Sequence, residues 1–393
     1  MLFLLSLFYF LNFATVGAFF PWYPPLLAER GFGPALIGTA LATGSIARMV
    51  FTPFWGYLAD RWHARREIMG SCTLLAAVCL AGTALAQSVA ATLAWIFLFG
   101  FFVVPIFPLA EAAAFSLLGE RRERYGRVRL WGSFGFIVTS QGLGLLVRPL
   151  GLGAVPWIAA GFMAAAGAVA FLLPGREAGR AEALAREGQD PAVAPGPDDH
   201  SLGALRAALP WRALLVVFVA AALGQAAHGP YYDFFTLQME TRGVEPWAIG
   251  SLWTLGVAAE IALMAAGHRV LSRLGLAAGM RWALGLGAAR WALFALAPAL
   301  PLVVAGQVLH AASFGLLHLA TVSLTDRLTP PGRKALGQTL VSMWAYGLGG
   351  GAGLLLAGQL RGPLGDAGLY AAAAAACVLG LAVTAGLRRA GPR

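Results

Sequence analysis

Twelve windows of about 20 predominantly apolar residues, separated by Pro, Gly and charge, leave this chain few ways to fold. They fall near 2–23, 35–58, 67–87, 90–112, 129–148, 155–174, 211–237, 247–267, 280–297, 301–324, 336–358 and 367–387. At about 1.5 Å of rise per residue, each is long enough as a helix to cross a hydrocarbon layer of about 30 Å. Inside such a layer only helices and closed barrels satisfy every backbone polar group, and the alternating pattern of a barrel strand is missing. The windows therefore predict an all-α membrane protein of twelve transmembrane helices.

Composition agrees. Of 393 residues, 59% are hydrophobic and 12% charged, and the mean hydropathy is +0.72. The formal net charge of +10 would suit a nucleic-acid partner if it formed one face, but the basic residues lie in short breaks between apolar windows. No nucleic-acid partner is expected. With Met1 on the cytoplasmic side, 22 of the 28 Lys and Arg fall on that side and 4 on the other, with Arg48 and Arg290 left inside windows. Short cytoplasmic loops carry the positive charge, so both termini are expected there. One Lys among so many Arg, with abundant Ala and Gly, suggests a GC-rich bacterial genome and hence a multi-pass protein of the bacterial plasma (inner) membrane. The first window lacks a basic stretch before it and a small-residue cleavage site after it, so it is expected to be retained. Cys72, Cys79 and Cys377 lie inside windows and are odd in number, which predicts packing without a disulfide or metal.

The stretch 175–210, GREAGRAEALAREGQDPAVAPGPDDHSLGALRAALP, is polar and holds no apolar window. It predicts a cytoplasmic linker between an N-terminal six-helix bundle (1–174) and a C-terminal one (211–393). Offsetting the chain by 212 lays Ile37, Gly38, Gly44, Ala47 and Arg61 on Ile249, Gly250, Gly256, Ala259 and Arg273, with Arg48 opposite Glu260. Two bundles of the same topology suit a parallel-repeat transporter whose substrate lies between the halves. A monomer is expected to suffice.

Glu260 sits near the middle of the window AIGSLWTLGVAAEIALMAAG. A charge there costs about 2.5–3.5 kcal/mol on insertion scales, so it needs a partner, a wet cavity or a proton. Trp253 and Gly256 share its helix face and would give an apolar wall beside a polar floor. Arg48 and Arg290 make the interior net positive with Glu260 ionised, a sign that suits an organic anion gripped by a guanidinium fork. In the tenth window Gln307, His310, Phe314 and His318 form one drifting stripe, and histidine titrates near neutrality. The gap between the two rings and the lack of a third ligand disfavour zinc. In HGPYYDFF, residues 228–235, Gly229-Pro230 should break the helix beside Tyr231, Tyr232 and Asp233. Asn12, Thr15 and Phe19 face the same interior by position, and Pro105 with Pro108 should bend the helix before Glu111. The run GLGGGAG at 347–353 follows no strand and predicts close helix packing, not phosphate binding.

Gly56-Tyr57-Leu58-Ala59-Asp60-Arg61-Trp62-His63-Ala64-Arg65-Arg66 resembles the Gly-x-Leu-Ala-Asp-Arg-x-Gly-Arg-Lys signature of the major facilitator superfamily, departing from it at His63 and Ala64. Asp60, at the negative end of a helix dipole, should pair with a nearby Arg or the N-terminus of a neighbouring helix, and with Arg61, Arg65 and Glu111 it forms the expected cytoplasmic gate. YGRVRLWGS (125–133), LWTLGVAAE (252–260), Arg290-Trp291 and LHAASFGLLHLA (309–320) are similar to the phenylpropionate permease branch of that superfamily, related to lactose-permease-type proton symporters. The resemblance implies a twelve-helix fold in two bundles. It also implies that a carboxylate on the eighth span, an Arg on the ninth and a His on the tenth serve substrate binding and proton coupling; Glu260, Arg290 and His310 or His318 stand on those spans. That family's further carboxylate near its His is missing, because Asp326 lies at the helix end.

The expectation is a secondary transporter working by alternating access: proton-coupled symport of a small aromatic or other carboxylate. Arg48, Arg290, Asn12, Tyr231, Trp253 and Phe314 are the expected substrate contacts, and Glu260, His310, His318 and Asp233 the expected proton-linked groups. Competing readings are symport of a sugar or nucleoside, and drug/proton antiport. A membrane enzyme would need clustered nucleophiles or metal ligands, which the pattern lacks, and a receptor is disfavoured. No Walker motif occurs, so the energy source expected is the proton gradient, with no cofactor.

Overall fold

The computed structural model describes residues 1–62, 64–118, 125–173, 209–296, 299–330 and 333–387. The predicted linker lies almost wholly outside them, as do the basic residues at 121–124 and 388–393. Among the described residues there is no strand. The helices are α1 (Leu2–Glu29), α2 (Pro34–Trp62), α3 (Arg65–Leu85), α4 (Val89–Val103), α5 (Ile106–Leu118), α6 (Tyr125–Leu150) and α7 (Val155–Phe171), followed by α8 (Trp211–Ala226), α9 (Gly229–Thr241), α10 (Pro246–Leu274), α11 (Leu276–Leu296), α12 (Leu300–Val308), α13 (Leu317–Leu328), α14 (Lys334–Val341) and α15 (Gly350–Val383). Two π-helical stretches, Ala311–Leu316 and Ser342–Gly349, join α12 to α13 and α14 to α15.

Ten of the described helical stretches are long and apolar enough to cross a membrane, against the twelve expected. Two physical features account for the difference. α11 carries Arg281 and Arg290 and falls outside the ten. The last two windows run together as Leu336–Gly386, although Gly365 (φ 64°) and Pro363 break helical geometry inside α15. Large apolar side chains stand outward, Phe3, Leu85 and Leu296 at 74%, 68% and 75% exposure, which is the surface a protein presents to lipid tails.

Proline breaks fall where the residues demand them. Pro105 has no N–H, so the carbonyl of Phe101 loses its helical donor; the indole of Trp55 replaces it at 2.9 Å. Pro230 likewise leaves Ala226 without a donor, and the chain breaks between α8 and α9 at Ala227–His228. The glycine run is a packing surface: a Cβ on Gly349 would come within 2.5 Å of the Ala222 carbonyl oxygen, and one on Gly353 would collide with the backbone of Ala226. Close backbone approach of this kind is how helices associate where lipid removes the hydrophobic drive.

The described residues cluster into two compact units, one of Met1–Gly33, Thr43–Ala194 and Phe234–Thr254, the other of Pro34–Ala42, Pro195–Asp233 and Leu255–Arg393. In the first, α1 packs along α6 and α7, and α3 along α7 and α4. The Phe234–Thr254 segment is tied to α6 there: Arg148 bonds both oxygens of Glu245 at 3.0 Å, Gln141 donates to the Trp247 carbonyl at 3.2 Å, and Ser251 donates to Gln141 at 3.0 Å. In the second, α11 and α8 pack on α15, over a core that includes Leu214, Phe218, Leu284 and Leu317. Pro34–Ala42 joins this unit through Gly38, whose Cβ position meets Leu354 and Gly358 of α15.

Candidate functional site

The second unit encloses a buried polar cluster. Glu260 of α10 places Oε2 3.5 Å from Nε2 of His310, with side-chain exposures of 17% and 6%. Small residues make this approach feasible. A Cβ at Gly315 would lie 3.2 Å from Cγ of Glu260, and one at Gly256 would lie 3.1 Å from Oε1 of Gln307. His310 precedes the π-helical stretch, and its ring stacks on Phe314 at 5.4 Å and 12°. π-Helical turns recur at functional sites because they re-aim side chains at a cost in helix geometry.

Arg290 is fully buried. Its Nε donates to the Gly306 carbonyl at 2.9 Å and its Nη1 to Ser313 Oγ at 3.0 Å, while Nη2 has no hydrogen-bond partner among the described residues. The guanidinium lies over Trp291 at 4.1 Å, Tyr231 at 4.6 Å and Phe294 at 5.5 Å. Such ring faces partly offset the lost hydration of a cation. Tyr231 donates to Gln307 Oε1 at 3.2 Å, and Nε2 of Gln307 and Nδ1 of His310 are both buried without a partner.

His228 was not singled out by the sequence. It is buried in the break between α8 and α9, its Nδ1 2.8 Å from the Gly224 carbonyl oxygen. A carbonyl only accepts, so Nδ1 carries the proton and Nε2, 3.5 Å from Ser313 Oγ, is the accepting nitrogen. Its ring stands 5.0 Å from Trp291 and 5.9 Å from both His310 and Phe314. Ser313 is the hub joining His228 and Arg290; one serine in LHAASFGLLHLA carries no sequence signal of that role.

The other predicted residues have contacts of their own. His318 is hydrogen-bonded through Nδ1 to the hydroxyl of Tyr346, in the second π-helical stretch. Asp233 is buried in α9. Trp253 belongs to the first unit, where its indole donates to Thr236 at 3.0 Å and its ring packs edge-on to Phe235 at 5.6 Å. Arg48 is an exposed residue of that same unit. Asn12 is buried there and donates to its own helix at Phe8 O, 2.9 Å away, leaving Oδ1 without a partner. Of the expected gate, Arg61 is exposed, Arg65 is half-buried at the start of α3, and the side chain of Asp60 lies outside the described residues.

Glu111 has company the sequence did not assign. It accepts from Tyr125 at 3.2 Å, Tyr9 stands edge-on to Tyr125 at 6.5 Å, and Arg129 lies over Phe13 at 4.0 Å. Arg129 stands in the second turn of α6. Among the described residues no three of His, Cys, Asp and Glu come together to hold a metal ion.

Comparison with known proteins adds a family. The profile of the MFS_1 like family matches residues 2–368. The chain is 29% identical over 325 residues to a probable 3-phenylpropionic acid transporter of Escherichia coli, covering 81% of this chain and 80% of that one. It is 28% identical over 355 residues to a maltose permease of Geobacillus stearothermophilus, covering 90% and 86%. Its fold matches the crystal structure of the nucleoside transporter NupG with a TM-score of 0.82 at 18% identity, over 98% of this chain and 99% of that one.

Proposed function

Because the chain belongs to the MFS_1-like family of membrane transporters, we propose that it is a proton-coupled symporter of a small aromatic or other organic carboxylate. It would work by alternating access between two six-helix bundles, 1–174 and 211–393, with twelve spans in all. Both termini would be cytoplasmic, in a bacterial inner membrane, and one copy would suffice.

The observation that carries the reading is the pairing of Glu260 with His310 beside a buried Arg290 that retains an unused N–H. Arg290 and an ionised Glu260 cancel. A proton on Glu260 uncovers the Arg290 charge, and a substrate carboxylate restores neutrality, so proton and anion occupy the site together. The tautomer of His310 follows the same proton. Facing an ionised Glu260, Nε2 is the donor and Nδ1 the acceptor; facing a protonated Glu260, Nε2 accepts and Nδ1–H becomes a donor. In that second state Arg290 Nη2, Gln307 Nε2 and His310 Nδ1 are three buried donors without acceptors, a set that suits a carboxylate. Tyr231 and Phe314 are apolar faces for an aromatic substituent. Asp60, Arg61, Arg65 and Glu111 belong, in this reading, to the cytoplasmic gate, and His318 to the exit route of the proton. The relation to a phenylpropionic acid transporter supports the substrate class.

A second reading is symport of a neutral sugar or nucleoside, favoured by the maltose permease relative and by Gln307 and Tyr231, which also bond hydroxyls. The two separate in proteoliposomes with an imposed pH gradient. The carboxylate reading expects 3-phenylpropionate to accumulate and its amide, maltose and uridine to be ignored. Accumulation of the neutral solutes without the acid overturns it.

A further inference from the structure

No step of the carboxylate reading uses His228, although its ring is fully buried and held on every side. The broken helix sets one side. Where the chain leaves α8, the backbone N–H of His228 turns back to the Gln225 carbonyl at 3.0 Å, so the Gly224 carbonyl is left for another donor; Nδ1 of the imidazole supplies it at 2.8 Å. Trp291 stands edge-on to the ring at 5.0 Å and 89°, and Tyr232 is stacked on it at 6.0 Å and 26°. A ring fixed in this way aims Nε2 at Ser313 Oγ, 3.5 Å away. The serine hydroxyl has two lone pairs and one proton. One lone pair accepts from Arg290 Nη1 at 3.0 Å. For the proton two acceptors stand at 3.5 Å, His228 Nε2 and the His310 carbonyl oxygen. No other donor among the described residues reaches Nε2, and without the serine it would be a buried orphan acceptor, so the hydroxyl proton belongs to His228.

We propose that His228 is a positioning residue for Arg290, acting through Ser313. By taking the hydroxyl proton it turns the serine's lone pairs toward the guanidinium, whose Nε is already held by the Gly306 carbonyl at 2.9 Å. Two of the three nitrogens of a planar, rigid group are then fixed, and Nη2 is left pointing one way, toward a carboxylate. Without an acceptor at His228 the serine proton has no fixed direction, and Nη1 loses its constant partner. The proposal rests on the reading of Arg290 as carboxylate ligand and adds a residue that orients that ligand from the far side of Ser313. It also ties the site to the break between α8 and α9, because the ring keeps its aim only while Nδ1 holds the Gly224 carbonyl that the break leaves open.

The test uses the full chain in liposomes at neutral pH, its histidines labelled with the heavy nitrogen isotope and read by solid-state NMR without ligand. Resonances that vanish in His228→Asn belong to His228, and they should report a ring protonated at Nδ1 alone. Ser313→Ala is expected to shift the Nε2 resonance and leave Nδ1 nearly in place, and Arg290→Gln to shift Nε2 as well, through the serine. A protonated Nε2, or an Nε2 resonance indifferent to both replacements, overturns the proposal. Affinity for 3-phenylpropionate, measured by calorimetry, is the second readout. The amide of Asn reaches the place of Nδ1 and that of Gln the place of Nε2. His228→Asn and Ser313→Ala should each weaken binding about tenfold, whereas His228→Gln, which again offers Ser313 an acceptor, should return to within about threefold of the unaltered protein. Its melting temperature should still fall at least as far as that of His228→Asn, because the bond to Gly224 is lost. Affinity that follows melting temperature across these variants would leave His228 a structural residue and overturn the positioning role. Failure of the unaltered protein to bind 3-phenylpropionate would sink the substrate reading, while the ligand-free resonances would still decide whether His228 governs Ser313 and Arg290.

Discussion

Glu260 and His310 meet at 3.5 Å across two helices, with Gly315 packed close beside Glu260: a Cβ there would lie 3.2 Å from its Cγ, tight enough to press on the pair. Neither polar residue is exposed enough to be satisfied by bulk water, and His310 has a second ring nitrogen without a partner. Which ring nitrogen of His310 carries the proton decides whether Nδ1 is a donor or an acceptor.

Replacing Glu260 by Gln removes the titrating group while keeping a hydrogen-bonding side chain of similar size. Accumulation driven by a pH gradient should fall to the equilibrium ratio, whereas substrate exchange across proteoliposomes should persist. Undiminished uphill uptake in this variant would disprove the role of Glu260.

Arg290→Lys keeps the charge and loses the fork. Carboxylate affinity measured by calorimetry should drop by about tenfold, equivalent to about 1.4 kcal/mol, while Arg290→Gln should abolish measurable binding. Both variants strand the Gly306 carbonyl and Ser313, so the melting temperature should also fall, by the equivalent of about 1–3 kcal/mol. Normal carboxylate affinity in both would remove Arg290 from the site.

Gly353→Ala places a methyl group against the backbone of Ala226, where no side chain can yield. A cost of about 1–3 kcal/mol is expected, read as a lower unfolding temperature in detergent. Gly350→Ala is the control: the nearest atom to its Cβ is the Ala345 carbonyl oxygen at 3.9 Å, so it should be neutral or mildly stabilising. Equal melting of the two variants contradicts backbone contact between α8 and the start of α15.

Trp253→Phe deletes the donor to Thr236 and retains most of the ring. The packing seen in the first unit predicts a loss of about 1 kcal/mol in stability with substrate affinity changed less than twofold. A large change in affinity with unchanged melting would instead put the indole at the substrate.

Much of the molecule could be read without coordinates because the bilayer reads composition directly. Length and apolarity select helices, and proline chemistry places their breaks; the interruptions before Glu111 and before Pro230 appear where Pro105 and Pro230 remove donors. The glycine run at 347–353, where the second π-helical stretch meets α15, was legible for the same reason, since only a backbone contact makes use of so many absent side chains.

The partners of the buried charges were not legible. Hydropathy says that Arg290 must be satisfied but not by what, and the answer, the Gly306 carbonyl, Ser313 and three ring faces, depends on which helices are neighbours. In lipid, apolar faces are nearly interchangeable, so a stripe of Leu or Phe does not name its partner helix. His228 illustrates the limit. Its histidine was visible, yet its tautomer follows from Gly224 and its contact with Ser313 from tertiary packing. What the sequence by itself determined was an all-helical chain apolar enough to span a membrane and the need to satisfy Glu260 and Arg290 inside it, whereas Arg48, expected beside them, is exposed. Which charge meets which was decided by close approach at small residues, a property of three-dimensional packing that no one-dimensional pattern of apolar residues contains.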